Sequence, residues 1–165
     1  MNQKGLTLIE LLVVITIIAI LASASVIALN PGQILAKARD AKRMSDIVTI
    51  NKAITLAIAQ GGNFSGISGN SVDGTRAVDG TGYVPLNIEN GLITLPLAPQ
   101  NGQTITNSNG VEVIDAFYFQ AQLGGIRYEL KTSFESQIYK DHLINDGGNE
   151  NEYFEIGSYL SLELP

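Results

Sequence analysis

Gly5-Leu6-Thr7-Leu8-Ile9-Glu10-Leu11-Leu12-Val13-Val14 opens an apolar run that continues to Leu29. From Leu6 to Leu29 there are 24 residues and one charge, Glu10. Only the polar leader Met1-Asn2-Gln3-Lys4-Gly5 precedes the run. As a helix rising about 1.5 Å per residue, the run spans about 36 Å, enough to cross a ~30 Å hydrocarbon core. A carboxylate at that depth costs a few kcal/mol unless it reaches the interface or meets a cation. How this one acid is accounted for decides the architecture.

Three accounts compete. A cleaved secretory signal needs an apolar core of about 7–15 residues followed by small residues. Ala22-Ser23-Ala24-Ser25 would pass as its cleavage site, but the run is too long and Glu10 has no use in it. A plain transmembrane anchor fits the length and leaves Glu10 unexplained. The third account uses the whole string. Gly5 followed by Leu6-Thr7-Leu8-Ile9-Glu10-Leu11-Leu12-Val13-Val14 resembles the class III signal of type IV pilins and type II secretion pseudopilins.

That resemblance implies cleavage after Gly5 by a prepilin peptidase and N-methylation of Leu6. It also implies a helix that first anchors the subunit in the inner membrane and then packs in a filament core. In the family, the acid at the position of Glu10 pairs with the N-terminal amine of a neighbouring subunit. Such a pair sets register more than it adds net stability, because removing one partner leaves an uncompensated charge costing about 3–5 kcal/mol. Leu6 departs from the Phe usual at the first mature position.

The rest of the chain is acidic and soluble in character. Net charge is −6; residues 1–60 carry +3 and residues 61–165 carry −9. No clustered basic surface suggests nucleic acid. With no cysteine, the fold has neither disulfides nor thiolate metal ligands. The length suits one modest core beyond the apolar run.

Asn30-Pro31-Gly32 predicts a kink or a locally melted stretch. From Gln33 to about Gln60, one set of apolar positions (Ile34, Ala38, Ala41, Ser45, Val48) and another (Leu35, Ile47, Ile50, Ile54, Ala57, Ile58) recur at helical spacing. Arg39, Lys42, Arg43, Asp46 and Lys52 fall mainly on other faces, with Arg43 and Asp46 placed to pair across a turn. The basic cluster reads equally as a solvated face or as a surface for lipid headgroups or a neighbouring subunit. Residues 61–82, rich in Gly, Ser, Asn, Asp and Thr, read as a long loop. Strands are expected at Tyr83–Ile88 and Leu92–Leu97, made irregular by Pro85 and Pro96. A hairpin is expected from Val111–Leu123 and Ile126–Phe134 across Gly124-Gly125, and a last strand at Tyr153–Leu162. Ile138–Ile144 is ambiguous. A helix followed by antiparallel strands is an α+β order. It matches the pilin architecture, in which the C-terminal half of a long N-terminal helix, here kinked near Pro31, packs on an antiparallel sheet.

The organisation expected is therefore a leader at 1–5, a membrane or filament-core helix at 6–29, an amphipathic helix half at 30–60 and a head at 61–165. Asp146-Gly147-Gly148-Asn149-Glu150-Asn151-Glu152 places oxygen ligands on a glycine-bearing loop. Asp146, Asn149, Glu150 and Glu152 are candidate Ca²⁺ ligands, with an ordinary polar turn as the alternative; no cofactor is required. His142 beside Asp141, without a G-x-S-x-G or H-E-x-x-H context, gives no catalytic constellation, so no enzyme is expected.

The expected function is a structural subunit of a type IV pilus, polymerising into a helical homo-oligomer. Its partners would be the prepilin peptidase, the inner-membrane assembly machinery and, before assembly, lipid. The alternatives are a type II secretion pseudopilin and a membrane-anchored extracytoplasmic binding module that never polymerises. The resemblance implies a single-pass N-in, C-out precursor and an extracellular or periplasmic filament. Lys37, Arg39, Lys42 and Arg43 beyond the apolar run pull the other way under the positive-inside rule.

Overall fold

The computed structural model describes residues 5, 7–122 and 125–161. The chain divides into two compact units, residues 1–35 and 36–165.

In the first unit, helix α1 runs Leu8–Leu29 and stops at Asn30. Asn30 has a left-handed backbone (φ 42°, ψ 73°) and is the one non-glycine at positive φ among the described residues. Asparagine tolerates that conformation better than other side chains. Helix α2 (Pro31–Ala59) begins at once. The Asn30 carbonyl accepts the N–H groups of Gln33 and Ile34 at 3.0 and 3.3 Å. Pro31 takes the first helical position, where its missing N–H costs nothing. The expected disturbance near Pro31 is thus a one-residue break at Asn30, and Pro31 starts a helix where it was expected to interrupt one.

In the second unit, α2 buries Ala36, Asp40, Arg43, Ile47, Ile50, Ala53, Ile54 and Ala57, all on one face. It ends where Gly61 turns to φ 88°, a conformation glycine adopts at no steric cost. The remaining elements are β1 (Ser68–Asn70), β2 (Thr104–Thr106), β3 (Glu112–Ile114), β4 (Tyr118–Ala121), β5 (Tyr128–Thr132), a 3-10 turn at Gln137–Tyr139, α3 (Lys140–Ile144) and β6 (Phe154–Gly157). An antiparallel sheet has the order β1-β4-β5-β6, and β2 pairs with β3 in a separate ribbon.

Register gives the larger sheet two unlike faces. Phe119, Leu130 and Ile156 lie opposite one another on one face. They join the core with Ile47, Ile50 and Ile54 of α2, and Phe64 caps the group 5.2 Å from the Phe119 ring. Tyr128 anchors this face by donating its hydroxyl to Asn51 Oδ1 at 2.6 Å. The other face carries Gln120 opposite Glu129, and Lys131 opposite Glu155. All four of these polar residues are buried. Every residue of β5 is buried, so the alternation of side chains along it separates an apolar face from an ionic one.

Several expected elements differ. Tyr83–Ile88 and Leu92–Leu97 do not form strands. Pro85 and Pro96 cannot donate to a ladder, and the backbone is satisfied piecemeal instead: Tyr83 N–H donates to Thr75 O, Ile88 N–H to Val78 O and Leu95 N–H to Arg76 O. The apolar side chains Val84, Leu86, Ile88 and Leu95 are nonetheless in the core. The expected loop at 61–82 contributes β1 to the sheet. The expected strand at 111–123 splits into β3 and β4, which belong to different sheets. Between them the Asp115 carboxylate turns towards α2. Leu123, the end of the expected first strand of the hairpin, and Gly124, half of its expected turn, lie outside the described residues, as does Leu162. The ambiguous 138–144 stretch is a 3-10 turn leading into α3.

Asp115 turns because Arg43, buried on α2, requires it. Arg43 Nε and Nη2 bond Asp115 at 2.9 and 2.8 Å. Its Nη1 bonds Asp40 at 2.6 Å, and Nη2 lies 2.6 Å from Glu135. Arg39 closes the cluster with a bidentate pair to Glu135 at 2.9 and 2.6 Å. Asp40 also accepts the backbone N–H groups of Glu135 and Ser136. Burial opposes the Arg43 charge, but the Asp115 and Glu135 carboxylates more than offset it and raise its pKa. The expected Arg43–Asp46 pair is absent; Lys42 takes Asp46 at 2.8 Å. Replacing Arg43 with Met leaves buried carboxylates facing each other. Denaturant unfolding of the full chain in detergent should show a loss of about 3–5 kcal/mol, whereas Lys42→Met on the exposed pair should cost under about 1 kcal/mol.

Candidate functional site

The apolar helix α1 is the candidate assembly site. In lipid every backbone polar group must be satisfied within the segment, and a helix does that. Its hydroxyls follow the same rule. Thr16 bonds the Leu12 carbonyl at 2.7 Å, Ser23 that of Ile20 at 2.8 Å and Ser25 that of Leu21 at 2.9 Å. Residues Leu8–Val26 form a candidate membrane span, and none of it is buried within the protein. Ile, Leu and Val side chains along it are about half or more exposed. An exposed apolar surface of this extent must be covered by lipid or by other protein.

Glu10 lies in the first turn and forms a capping box with Thr7. Glu10 Oε2 accepts the Thr7 N–H and hydroxyl, both at 2.8 Å, and Thr7 Oγ1 accepts the Glu10 N–H at 3.3 Å. These bonds satisfy helix-end donors that would otherwise be orphaned. Among the described residues Glu10 meets no cation. It is an acceptor fixed in place by its own helix. Gly5 is exposed, and a Cβ there would meet nothing within 4 Å. Leu6, the other residue of the expected cleavage site, lies outside the described residues.

Residues 1–26 match the prokaryotic N-terminal methylation motif. The matched stretch is similar to the class III signal of type IV pilin and pseudopilin prepilins. The motif covers Gly5, Leu6 and Glu10 and most of α1. Beyond it, the long N-terminal helix followed by an antiparallel sheet is consistent with a pilin-like α+β fold. The motif marks a family of structural proteins rather than catalysts. No curated protein and no solved structure gives a significant match to the chain.

The loop named for calcium is organised around a side chain that sequence reasoning missed. Lys131, 2 % exposed, sends its ammonium to Glu150 in a short contact, to Glu129 at 3.1 Å and to Glu155 at 3.6 Å. Asp146 accepts the Gly148 N–H at 2.9 Å and the Glu155 N–H at 2.6 Å. Asn149 and Glu152 are exposed. The structure thus commits Asp146 and Glu150 to protein donors and leaves Asn149 and Glu152 at the surface. Among the described residues no group of three or more His, Asp or Glu side chains is arranged to hold a metal ion. His142 is exposed and stacks near Tyr139, 5.5 Å between ring centres. The signal for the lysine cluster was present in Glu129-x-Lys131, charged residues alternating along an otherwise apolar strand. Nothing in the sequence showed that a later loop would cover them.

With an ammonium at the centre, millimolar Ca²⁺ or its removal by chelator should leave the thermal midpoint of the full chain unchanged. A ligand bound only by the folded state would raise it with concentration, so a calcium-dependent rise would return the loop to the list of metal sites.

Proposed function

We propose that this chain is a structural subunit of a type IV pilus filament, processed after Gly5, N-methylated on Leu6 and polymerised through the Glu10-bearing helix. The observation that carries the proposal is an exposed apolar helix whose single charge, Glu10, meets no cation among the described residues. Processing at Gly5 creates an amine on Leu6, four residues before Glu10 in the sequence. In a helical array each such amine has a carboxylate to find on a neighbouring subunit. The driving force is packing of apolar helices, and the charge pair selects the register, because a misplaced neighbour leaves both charges buried and unpaired. The prepilin peptidase and the inner-membrane assembly machinery are the partners this route needs. No catalytic role is assigned to the chain.

Before assembly the subunit sits in the inner membrane, N-terminus in and C-terminus out. That orientation follows the resemblance of residues 1–26 to the methylation motif, against the Lys and Arg residues beyond the apolar run. Arg39 and Arg43 are occupied by carboxylates of the second unit, and Lys42 is paired with Asp46.

Glu10→Ala should leave processing and membrane insertion intact and reduce sheared surface filaments at least tenfold, read by immunoblot of sheared and membrane fractions. Undiminished filaments would overturn the role given to Glu10. Gly5→Val should block processing, leaving the mass of the unprocessed chain by intact mass spectrometry. A type II secretion pseudopilin would instead leave surface filaments absent in the wild type while its deletion stopped export of secreted proteins.

A further inference from the structure

The second unit carries a loop that holds one apolar side chain out into solvent and, across α2 from it, a groove of matching size and opposite charge. We propose that the Ile93 side chain of one copy of this chain seats in the groove between α2 and the start of β5 on a second copy, a side-by-side contact between neighbouring subunits. The inference takes its setting from the proposed filament and names the surfaces of the second unit that meet there.

A single exposed isoleucine is ordinary on a protein surface. What distinguishes Ile93, 94 % exposed, is how firmly it is held out. Its loop runs between Ile88 and Leu95, both buried in the core. The N–H groups of Gly91 and Leu92 donate to the Ile88 carbonyl at 2.9 and 3.0 Å. Gly91 lies so close to α2 that a Cβ there would fall 2.9 Å from Ala53. Asn90 Nδ2 donates to Gln60 Oε1 at 3.0 Å, tying the loop to the end of α2. A loop already ordered in this way has little backbone freedom to lose on binding. The groove measures about 230 Å³ and is lined by Asn51, Thr55 and Ile58 of α2 and by Ile126, Tyr128 and Ser158 where β5 begins and β6 ends. A cavity of about 150 Å³ admits a benzene ring, so the groove has room for an isoleucine side chain.

Helical phase puts the two features on opposite flanks of α2. At about 100° per residue, Asn51 and Thr55 lie about 160° round the helix from Ala53 and Ile58 about 140°, whereas Gln60 is within about 20° of Ala53. A two-fold pair of copies cannot use both flanks of each. Every added copy therefore leaves a free loop at one end and a free groove at the other, the heterologous contact from which open filaments grow. Charge separates the flanks as well. Lys52 and Arg127 adjoin groove residues in the chain, both are exposed, and no acid lines the groove. The loop carries the exposed Glu89, and Asp79 pairs with Asn87 beside it. The one cation close to the loop is Arg76, whose Nε donates to the Leu95 carbonyl at 2.7 Å. Among the described residues Lys52, Arg127 and Glu89 make no ion pair; the Arg127 guanidinium lies 4.9 Å from the Tyr159 ring centre. A net negative loop thus faces a net positive groove, which steers docking and selects the register.

The chain has no cysteine, so the contact can be tested by placing them. Ile93→Cys and Ile126→Cys are made in the full chain, singly and together, and a short bis-maleimide is added to sheared filaments and to the purified chain in detergent. On denaturing gels the double variant should give dimers and a ladder of higher species, and each single variant only monomer. A double variant that stays monomeric in both samples would overturn the contact, and so would dimers from either single variant, which report like surfaces meeting. Ile93→Cys combined with Ile138→Cys, an exposed site on the 3-10 turn, should give no ladder; a ladder there marks random collision and also overturns it. Adding Glu89→Lys to the double variant should lower the cross-linked fraction by about tenfold at low salt, and adding Lys52→Glu and Arg127→Glu as well should restore it. A fraction indifferent to Glu89→Lys overturns the charge match. Filament yield of the unaltered chain is read separately. Filaments without a ladder sink this contact and leave the role of Glu10 standing, whereas a ladder in detergent without surface filaments does the reverse.

Discussion

A guanidinium without access to water sets the terms on which α2 joins the sheet. Arg43 occupies a position on the buried face of α2 that helical spacing would assign to an apolar side chain. Its charge is tolerable only if carboxylates from elsewhere in the chain close around it. Asp40 comes from one turn earlier, Asp115 from between β3 and β4, and Glu135 from after β5. The demand of one side chain thus fixes where two distant segments cross the helix. It also explains why the 111–123 stretch bends at Asp115 and does not run on as one strand.

The same logic of covered charge appears on the sheet. One face is closed by α2 through Phe119, Leu130 and Ile156; on the other, the 146–152 loop reaches Lys131 through Glu150 and Glu155 through the Glu150 N–H and Asp146. An apolar face tolerates small changes in its cover, because dispersion contacts are non-directional and individually weak. An ionic face does not, because each lost partner leaves a charge in a low-dielectric setting. α1 presents the opposite case, an apolar surface with no cover from the protein itself and one carboxylate held by its own first turn. The second unit pairs its buried Arg43 and Lys131 with its own carboxylates, whereas α1 needs a surrounding phase or another molecule.

Much of this was legible in the residues. The span of α1, the break beside Pro31 and the extent of α2 follow from local hydrophobic period and from proline and glycine chemistry. The match of residues 1–26 to the methylation motif rests on the same short string. The 83–97 region was half legible. Val84, Leu86 and Leu95 are core residues as their character demands, but Pro85 and Pro96 denied the backbone a ladder and the chain packed as turns. The alternation along β5 was visible, yet it did not tell a solvent-facing side from one covered by an ion cluster. Arg43 and Asp40 had a readable three-residue spacing; Asp115 and Glu135 lie 72 and 92 positions from Arg43, beyond the reach of any local pattern.

By itself, the sequence determined that an apolar helix carrying one acid leads an α+β chain, because both the cost of burying a charge and the period of a helix act over a few consecutive residues. Only the tertiary structure decided which charges are buried with partners and which face water. That depends on contacts between segments far apart in the chain. It therefore made Arg43 and Lys131 centres of ionic clusters in the second unit and left Glu10 bonded to Thr7, with no cation among the described residues.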